Sequence, residues 1–543
     1  MSAAVPPNHG EGRVSNQALA TTLEMFPEAN CGEQISAQEA APLAPPRPQL
    51  PKPRLKPVNR KQLLMRTVDV EQLVGEDHPV RAIWEFVGRL DLSAYYRDIE
   101  AVEGVAGRSA WDPQLLISLW VYAYSAGVSS AREVSRLCEY DPAYQWLTGL
   151  EAINHHSLSD FRVENKPALD ELFQQILGLL SAEGLITLQR VMHDGTKVKA
   201  CAGVDTFRRE ETIRAHLELA RQQVEQMGDP QAEELSQRVA KARARAVREN
   251  KQRLELALEE LEKVRASKIS PEDKKKARVS LTDPQARIMK QSDGGFAPSY
   301  NVQISSDTAA GMIVGVEVAQ AGSDYEQLIP AVAKVEQNLG RAPEQMVADG
   351  GFTSRQNILA MDEKGVDFIG SLGDGAAQSA GQMERRGVDP VFRPDAFGYN
   401  PDNDTYTCPA GKLLFPDGKE ERIGVIHYRY RAKAAECAAC PFRAQCCPQS
   451  AGKGRSIVRT QESPPVAAFT AKMQTEQAKQ IYRQRGRWAE FPNAWIKDKL
   501  GLRQFRLRGP IKVGMEALWA CLTYNIQQWI RLRWRVQLLA AAG

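Results

Sequence analysis

No apolar run in this chain reaches the ~18 residues of a membrane-spanning helix, so no membrane span is expected. The first stretch, MSAAVPPNHGEGRVSNQ, lacks a basic segment followed by an apolar core, so it does not read as a secretory signal. Cysteine is sparse, nine in 543 residues. Without export, these should be reduced thiols or metal ligands rather than disulfides. Net charge is scarce too: 70 Lys and Arg against 67 Asp and Glu leave +3. That is too little to identify a partner, so any nucleic-acid footprint must come from local clustering. What remains is an ordinary soluble composition, 43% hydrophobic and 25% charged, with a cytoplasmic location expected. The length suits three or four domains at ~150 residues each.

Residues 1–60 are rich in Ala, Pro and Gln and cannot bury enough apolar area to offset their ordering entropy, so a disordered basic tail is expected. From 61 to 183 the pattern is helical. Asp112 and Pro113 are start signals. SAREVSRLCEYDPAYQWLTG reads as two short helices. Another helix should start near Ser157 with Asp160 as its capping pair. Several short helices with Arg and His near their starts suit a helix-turn-helix-like DNA reader; a plain helical bundle is the alternative.

From 184 the periodicity becomes that of strands. Leu185-Ile186-Thr187-Leu188 leads into RVMHDGTKVKA as one long strand with Asp194 in its middle, followed by Gly195. YNVQISSDTAAGMIVGVEVAQ is two strands around a turn. A helix follows, opened by the capping box Ser323-x-x-Glu326 and kinked at Pro330. QMVADGGFTS then places Asp349 after a second apolar strand, again before glycine. A helix and the strand VDFIGSLG close a mixed α/β sheet. Residues 205–282 interrupt it. Ile213, Leu217, Ala220, Val224 and Met227 repeat at helical spacing, Gly228-Asp229-Pro230 breaks the pattern, and Leu254, Leu258 and Leu261 resume it. This predicts a helical hairpin with a coiled-coil-like seam. Its charge runs are most simply solvated faces; DNA contact or dimerisation is the other reading.

A third acid completes the pattern. In YRQRGRWAEFPNAWIKDKLGLRQFRLRG, Glu490 precedes the next acid, Asp498, amid Arg and Lys, with Trp488, Phe491, Trp495 and Phe505 interleaved. Pro492 fits only a first turn, so a helix should begin close to Glu490 and carry Lys497 on the same face. Mg²⁺ prefers a few hard carboxylate oxygens and keeps its waters. Two such ions can activate an attacking oxygen and stabilise a leaving one. Three close carboxylates repel unless cations lie between them. Asp194, Asp349 and Glu490, holding Mg²⁺ or Mn²⁺, therefore point to phosphodiester chemistry. Arg503, Arg506 and Arg508 are candidate phosphate contacts.

These residues resemble a known family, the bacterial insertion-sequence transposases of the DDE type, over nearly all of the chain after residue 60. HDGTKVKA resembles the family's first-aspartate strand, and DPQARIMK…GGFAPSYNVQISSD (283–307) the block before its second strand. ADGGF is similar to the second-aspartate block. Tyr482, Arg485, Glu490 and Lys497 resemble the Tyr-Arg-Glu-Lys signature, and the tail GPIKVGMEALWACLTYNIQQW also resembles the family. The resemblance implies an RNase H-like core, a metal-binding triad of Asp194, Asp349 and Glu490, and DNA positioning by Tyr482, Arg485 and Lys497. The signature has three residues between its Arg and Glu. Here Arg485 leaves four, so Arg483 is an alternative. The long interval from Asp349 to Glu490 fits members with an extra inserted domain.

That insertion would hold the cysteines. Cys408, the pair Cys437-x-x-Cys440, and Cys446 with Cys447 as a substitute have zinc-ligand spacing. A structural Zn²⁺ is expected, with a group of reduced thiols as the alternative. Cys31, Cys138, Cys201 and Cys521 are scattered and suit core packing; His155-His156 suits a loop or cap.

The expected organisation is therefore a tail at 1–60 and a helical DNA-binding domain at 61–183. A core at 184–372 carries Asp194 and Asp349 and is interrupted at 205–282. An insertion domain follows at 373–475, then a helical part of the core at 476–543 carrying Glu490. The leading function is a nucleoid-associated transposase, a homodimer when active, that binds its element's terminal inverted repeats and joins a 3′ hydroxyl to target DNA. The alternatives are a metal-dependent nuclease without strand transfer and an inactive DNA-binding regulator.

Overall fold

The computed structural model describes residues 61–542 except 62, 64, 66, 98, 100, 102–108, 227–236, 372, 374, 450 and 451. The expected tail, and the Gly228-Asp229-Pro230 break with Met227, lie outside the described residues. Helices at Pro79–Gly88, Pro113–Ser125, Ala131–Tyr140, Pro142–Thr148, His155–Glu164 and Lys166–Ala182 form the N-terminal region. Short polar caps set their starts. Asp112 accepts the Gln114 amide at 2.8 Å, and Asp141 accepts that of Ala143 at 2.9 Å. The expected start near Ser157 is corrected: the helix begins at His155 because Asn154 accepts the His156 amide at 2.8 Å. The Pro113–Ser125 helix is apolar nearly all round and sits inside, with Trp120 and Tyr124 fully buried.

The central sheet contains β1 (Arg190–Lys199), β2 (Arg287–Lys290), β3 (Phe296–Asp307), β4 (Ile313–Ala319), β5 (Gln345–Val347) and β6 (Asp367–Ile369). β1 lies between β3, antiparallel to it, and β5, parallel to it. β6 extends the parallel side, and β2 and β4 both pair with β3. The strand expected from Leu185 starts only at Arg190. Leu188 has φ 56°, and its amide donates at 2.7 Å to the buried Asp307 carboxylate, which also takes Thr187. The Ser323–Glu326 capping box is also corrected. The helix spans Leu328–Leu339, and Ser323 Oγ instead accepts Tyr325 N within a turn. Pro330 therefore falls in the first turn, where its missing N–H is tolerated and no kink is needed.

The insertion after β1 forms helices Glu210–Gln226 and Gln237–Ala266 with their own core of Ile213, Leu217, Ala220, Leu254, Ala257 and Leu261. Buried Glu260 ties them to the sheet by pairing with Arg287 of β2. A second, antiparallel sheet contains β7 (Gly398–Asn400), β8 (Thr405–Thr407), β9 (Leu413–Arg422), β10 (Val425–Ala432) and β11 (Ser456–Glu462), paired in sequence order. The helix Pro510–Trp529 is buried along almost its whole length. Asn525 bonds both the amide and the carbonyl of Ile313 at 2.8 Å, satisfying an edge of β4. Trp519 donates to Arg162 O at 3.2 Å and joins this helix to the N-terminal ones. Among the described residues, no helix is long and apolar enough to cross a membrane.

Candidate functional site

Alternation along β1 decides where Asp194 faces. Met192 pairs with Val347 and Ser306, and Asp194 with Ile304, so both point to one side of the sheet; His193 and Gly195 point to the other. β5 ends at Val347, and the chain turns at Asp349, whose carboxylate accepts Gly351 N at 2.7 Å.

Glu490 comes from a different element, and the helix expected to begin close to it does so, at Phe491 with Pro492 in its first turn. One helix covers Glu476–Arg483. A π-helical turn spans Gly486–Glu490 and runs into the helix Phe491–Asp498. Pro492 cannot donate to residue 488, so the wide turn ahead of it gives up no bond that Pro492 could have made. Ala489 packs on Met192, Val347 and Ile369, with Tyr482 and Trp488 at the margin. This apolar seat holds the exposed Glu490 over the same face as Asp194.

Arg485 links the acids. It donates to Glu490 at 3.0 Å and lies 3.7 Å from Asp194, with its guanidinium over Tyr482 at 6.0 Å. The geometry thus brings Arg485 to the acids, while Arg483 is exposed at a helix end. Burial pushes the Asp194 carboxyl up to about 6. Arg485 pulls it down, Asp349's charge raises it further, and hydrogen bonds from Asn493 (3.1 Å) and Gly195 (3.0 Å) lower it. Burial lowers the pKa of Lys497, Arg503 adds to this, and the charge of Asp194 opposes both. Among the described residues, no three Asp, Glu, His or Cys side chains are drawn together into a group that could hold a metal ion.

The basic segment is anchored to β1. Lys199 N donates to Arg503 O at 3.2 Å, and Phe505 N to Lys199 O at 2.8 Å. Phe505 is buried, whereas Arg503, Arg506 and Arg508 are exposed; Arg503 also pairs with Asp498.

Cys408, Cys437, Cys440, Cys446 and Cys447 line one small cavity of about 20 Å³ beside the second sheet. Cys408 Sγ accepts Lys412 N at 3.3 Å and Cys437 Sγ accepts Arg455 N at 3.4 Å. Burial pushes the Cys446 thiol up to about 11; Arg455 opposes this and the neighbouring thiols add to it.

Sequence reasoning missed Asn493 and Asp324. Asn493 lies one turn after Glu490 and is buried in an exposed-looking segment, a usable signal. Asp324 belongs to the stretch read as a cap.

A family model described as "Transposase DDE domain" matches residues 407–530, and one described as "Transposase domain (DUF772)" matches residues 68–164. Both matches are typical of insertion-sequence transposases. Together the matched stretches take in the N-terminal helices up to Glu164, most of the second sheet with its cysteines, Glu490 and the buried C-terminal helix. Residues 165–406, with Asp194 and Asp349, lie between them. No curated protein matches. Among solved structures, a cryo-EM structure of the piggyBac transposase synaptic complex with hairpin DNA is similar over 84% of this chain and 73% of that one, at 8% identity and a TM-score of 0.27.

Proposed function

We propose that this chain is a DDE transposase that binds the ends of its own element as a homodimer, cuts a DNA strand with water, and joins the freed 3′ hydroxyl to target DNA. The observation that carries the reading is Asp194. It is a largely buried carboxylate on the middle strand of the sheet, set against Asp349's charge and bridged by Arg485 to Glu490. Burying such a group without balancing charge is costly, and catalytic sites are where that cost recurs. The strand order β4-β3-β1-β5-β6, with three antiparallel strands followed by two parallel ones, suits an RNase H-like core.

The donors suit Mg²⁺ or Mn²⁺. They are hard carboxylate oxygens, and beside Asp194 the Oδ1 atom of buried Asn493 has no hydrogen-bond partner. Bound divalent ions supply activation of the attacking oxygen and neutralisation of the leaving one. The chain's own residues do the rest. Asp194, Asp349 and Glu490 hold the charge in place, Tyr482, Arg485 and Lys497 orient the scissile strand, and Arg503, Arg506 and Arg508 grip phosphates. The N-terminal helices read the element ends. Cys408, Cys437, Cys440 and Cys446, with Cys447 as a substitute, hold one structural Zn²⁺; convergence on a single cavity and two backbone N–H groups aimed at sulfur support this.

Incubation of purified protein with labelled element-end DNA and a circular target tests the proposal. Transposition gives label joined covalently to target. Cleaved ends without joined product would identify the nuclease alternative, and binding without cleavage the inactive regulator.

A further inference from the structure

Both candidate aspartates are followed by glycine, and the two glycines share a neighbour. A Cβ at Gly195 would stand 2.4 Å from Asp324 Oδ1 and 2.6 Å from Gln303 Nε2, closer than real atoms approach. A Cβ at Gly351 would stand 2.9 Å from Asp349 Oδ1 and 3.8 Å from Asp324 Cβ. Asp324 comes from the turn before the Leu328–Leu339 helix, far in sequence from both. It reaches the gap beside Gly195 from the face of β1 opposite to Asp194.

A buried polar chain holds it there. Asp324 Oδ1 accepts Asn301 Nδ2 at 2.7 Å and Gln303 Nε2 at 2.8 Å. Gln303 Oε1 lies 2.9 Å from His193 Nε2, and His193 Nδ1 lies 2.9 Å from Ser305 Oγ. Asn301, Gln303 and Ser305 alternate along β3 and pair with Lys197, Gly195 and His193 of β1. The chain therefore begins at the residue before Asp194 and ends against the residue after it. The Asp349 turn joins the same assembly. His193 packs edge-on against Phe352, with ring centres 4.8 Å apart. Asn357 Nδ2 donates to Phe352 O at 2.7 Å and to Tyr325 O at 2.9 Å, which fastens the Asp324 turn to the Asp349 turn.

We propose that Asp324 is a positioning residue that locks the Asp194 strand and the Asp349 turn at a fixed separation. Its acceptor oxygen gathers two β3 amides, and its body fills the space that Gly195 and Gly351 leave open. This rests on the reading that Asp194 and Asp349 hold divalent cations. Groups that orient cation-binding carboxylates typically change metal affinity or activity by ~10–100-fold when removed.

Asp324→Ala and Asp324→Asn separate positioning from direct charge. Asn keeps an oxygen that accepts both amides but carries no charge. Mn²⁺ binding, followed by the electron paramagnetic resonance signal of free Mn²⁺, should weaken ~10-fold or more in Asp324→Ala and only a few-fold in Asp324→Asn. Gly195→Ala displaces Asp324 without removing its charge and should lose affinity like Asp324→Ala, so it serves if Asp324→Ala is unfolded at the assay temperature. Equal losses in Asp324→Asn and Asp324→Ala would overturn the proposal, because the charge would then be what matters. Wild-type affinity in folded Asp324→Ala or Gly195→Ala would overturn it as well. Asp194→Asn is the control for the underlying reading. If that variant binds Mn²⁺ as the wild type does, the cation site itself is refuted; if it loses binding while Asp324→Ala does not, only the role of Asp324 fails.

Discussion

Arg485 donates to the Glu490 carboxylate at 3.0 Å, and that contact crosses from a helix end to the π-helical turn five residues on. The same guanidinium is the nearest positive charge to Asp194. Removing it takes away the counter-charge that lies between Asp194 and Glu490. Arg485→Ala should therefore lower DNA cleavage by ~10-fold or more, since small displacements at a reacting centre are costly. Arg483→Ala should stay near the wild type. Single-turnover cleavage rates of the two variants check this, and a reversed order would make Arg483 the signature residue.

The raised Asp194 carboxyl has a sign that can be measured. Its folded pKa of about 6 lies above the ordinary aspartate range, so the folded state binds the proton more tightly than the unfolded one. Asp194's favourable contribution is present below the unfolded value and is lost as pH rises through about 6. Above that, the charged form destabilises the fold by up to about 3 kcal/mol. Asp194→Asn should thus raise the melting temperature in chelator at pH 7.5, with the gain shrinking toward pH 4. Calorimetry at both pH values decides it; a gain independent of pH would mean that burial is not the cause.

Much of this candidate site could be nominated from the sequence because its signals are local. An acid between apolar strand residues and glycine marks Asp194 and Asp349, and a carboxylate among cations and aromatics marks Glu490. What failed depended on distant partners. Asp307, about 120 residues away, takes the Leu188 amide and delays β1. Asp324 looked like part of a capping box because its partners, Asn301 and Gln303, lie on another strand. The wide turn at Gly486–Glu490 leaves no periodic trace in five residues.

Arg503, Arg506 and Arg508 project from a segment fastened to the end of β1. From Arg483 to Lys512 the chain carries nine Lys and Arg against Glu490 and Asp498. Replacing the three arginines with Ala should weaken binding to element ends and to random DNA alike. It should also flatten the dependence of log K on log salt by about one unit per lost contact. Unchanged affinity and slope would move the DNA path elsewhere.

The cysteine cavity should give about one zinc per chain by metal analysis of purified protein. The double substitution Cys437→Ser/Cys440→Ser should remove it and lower the melting temperature. Fully folded protein without zinc would leave these residues as buried thiols.

The central claim is that Asp194, Asp349 and Glu490 act together in cutting DNA. Cleavage of labelled element-end DNA in Mg²⁺ by Asp194→Asn, Asp349→Asn and Glu490→Gln, each checked for folding and DNA binding, tests it most directly. Each variant should bind DNA at least as well as the wild type and cut none of it. Wild-type cleavage by any one of the three would contradict the account.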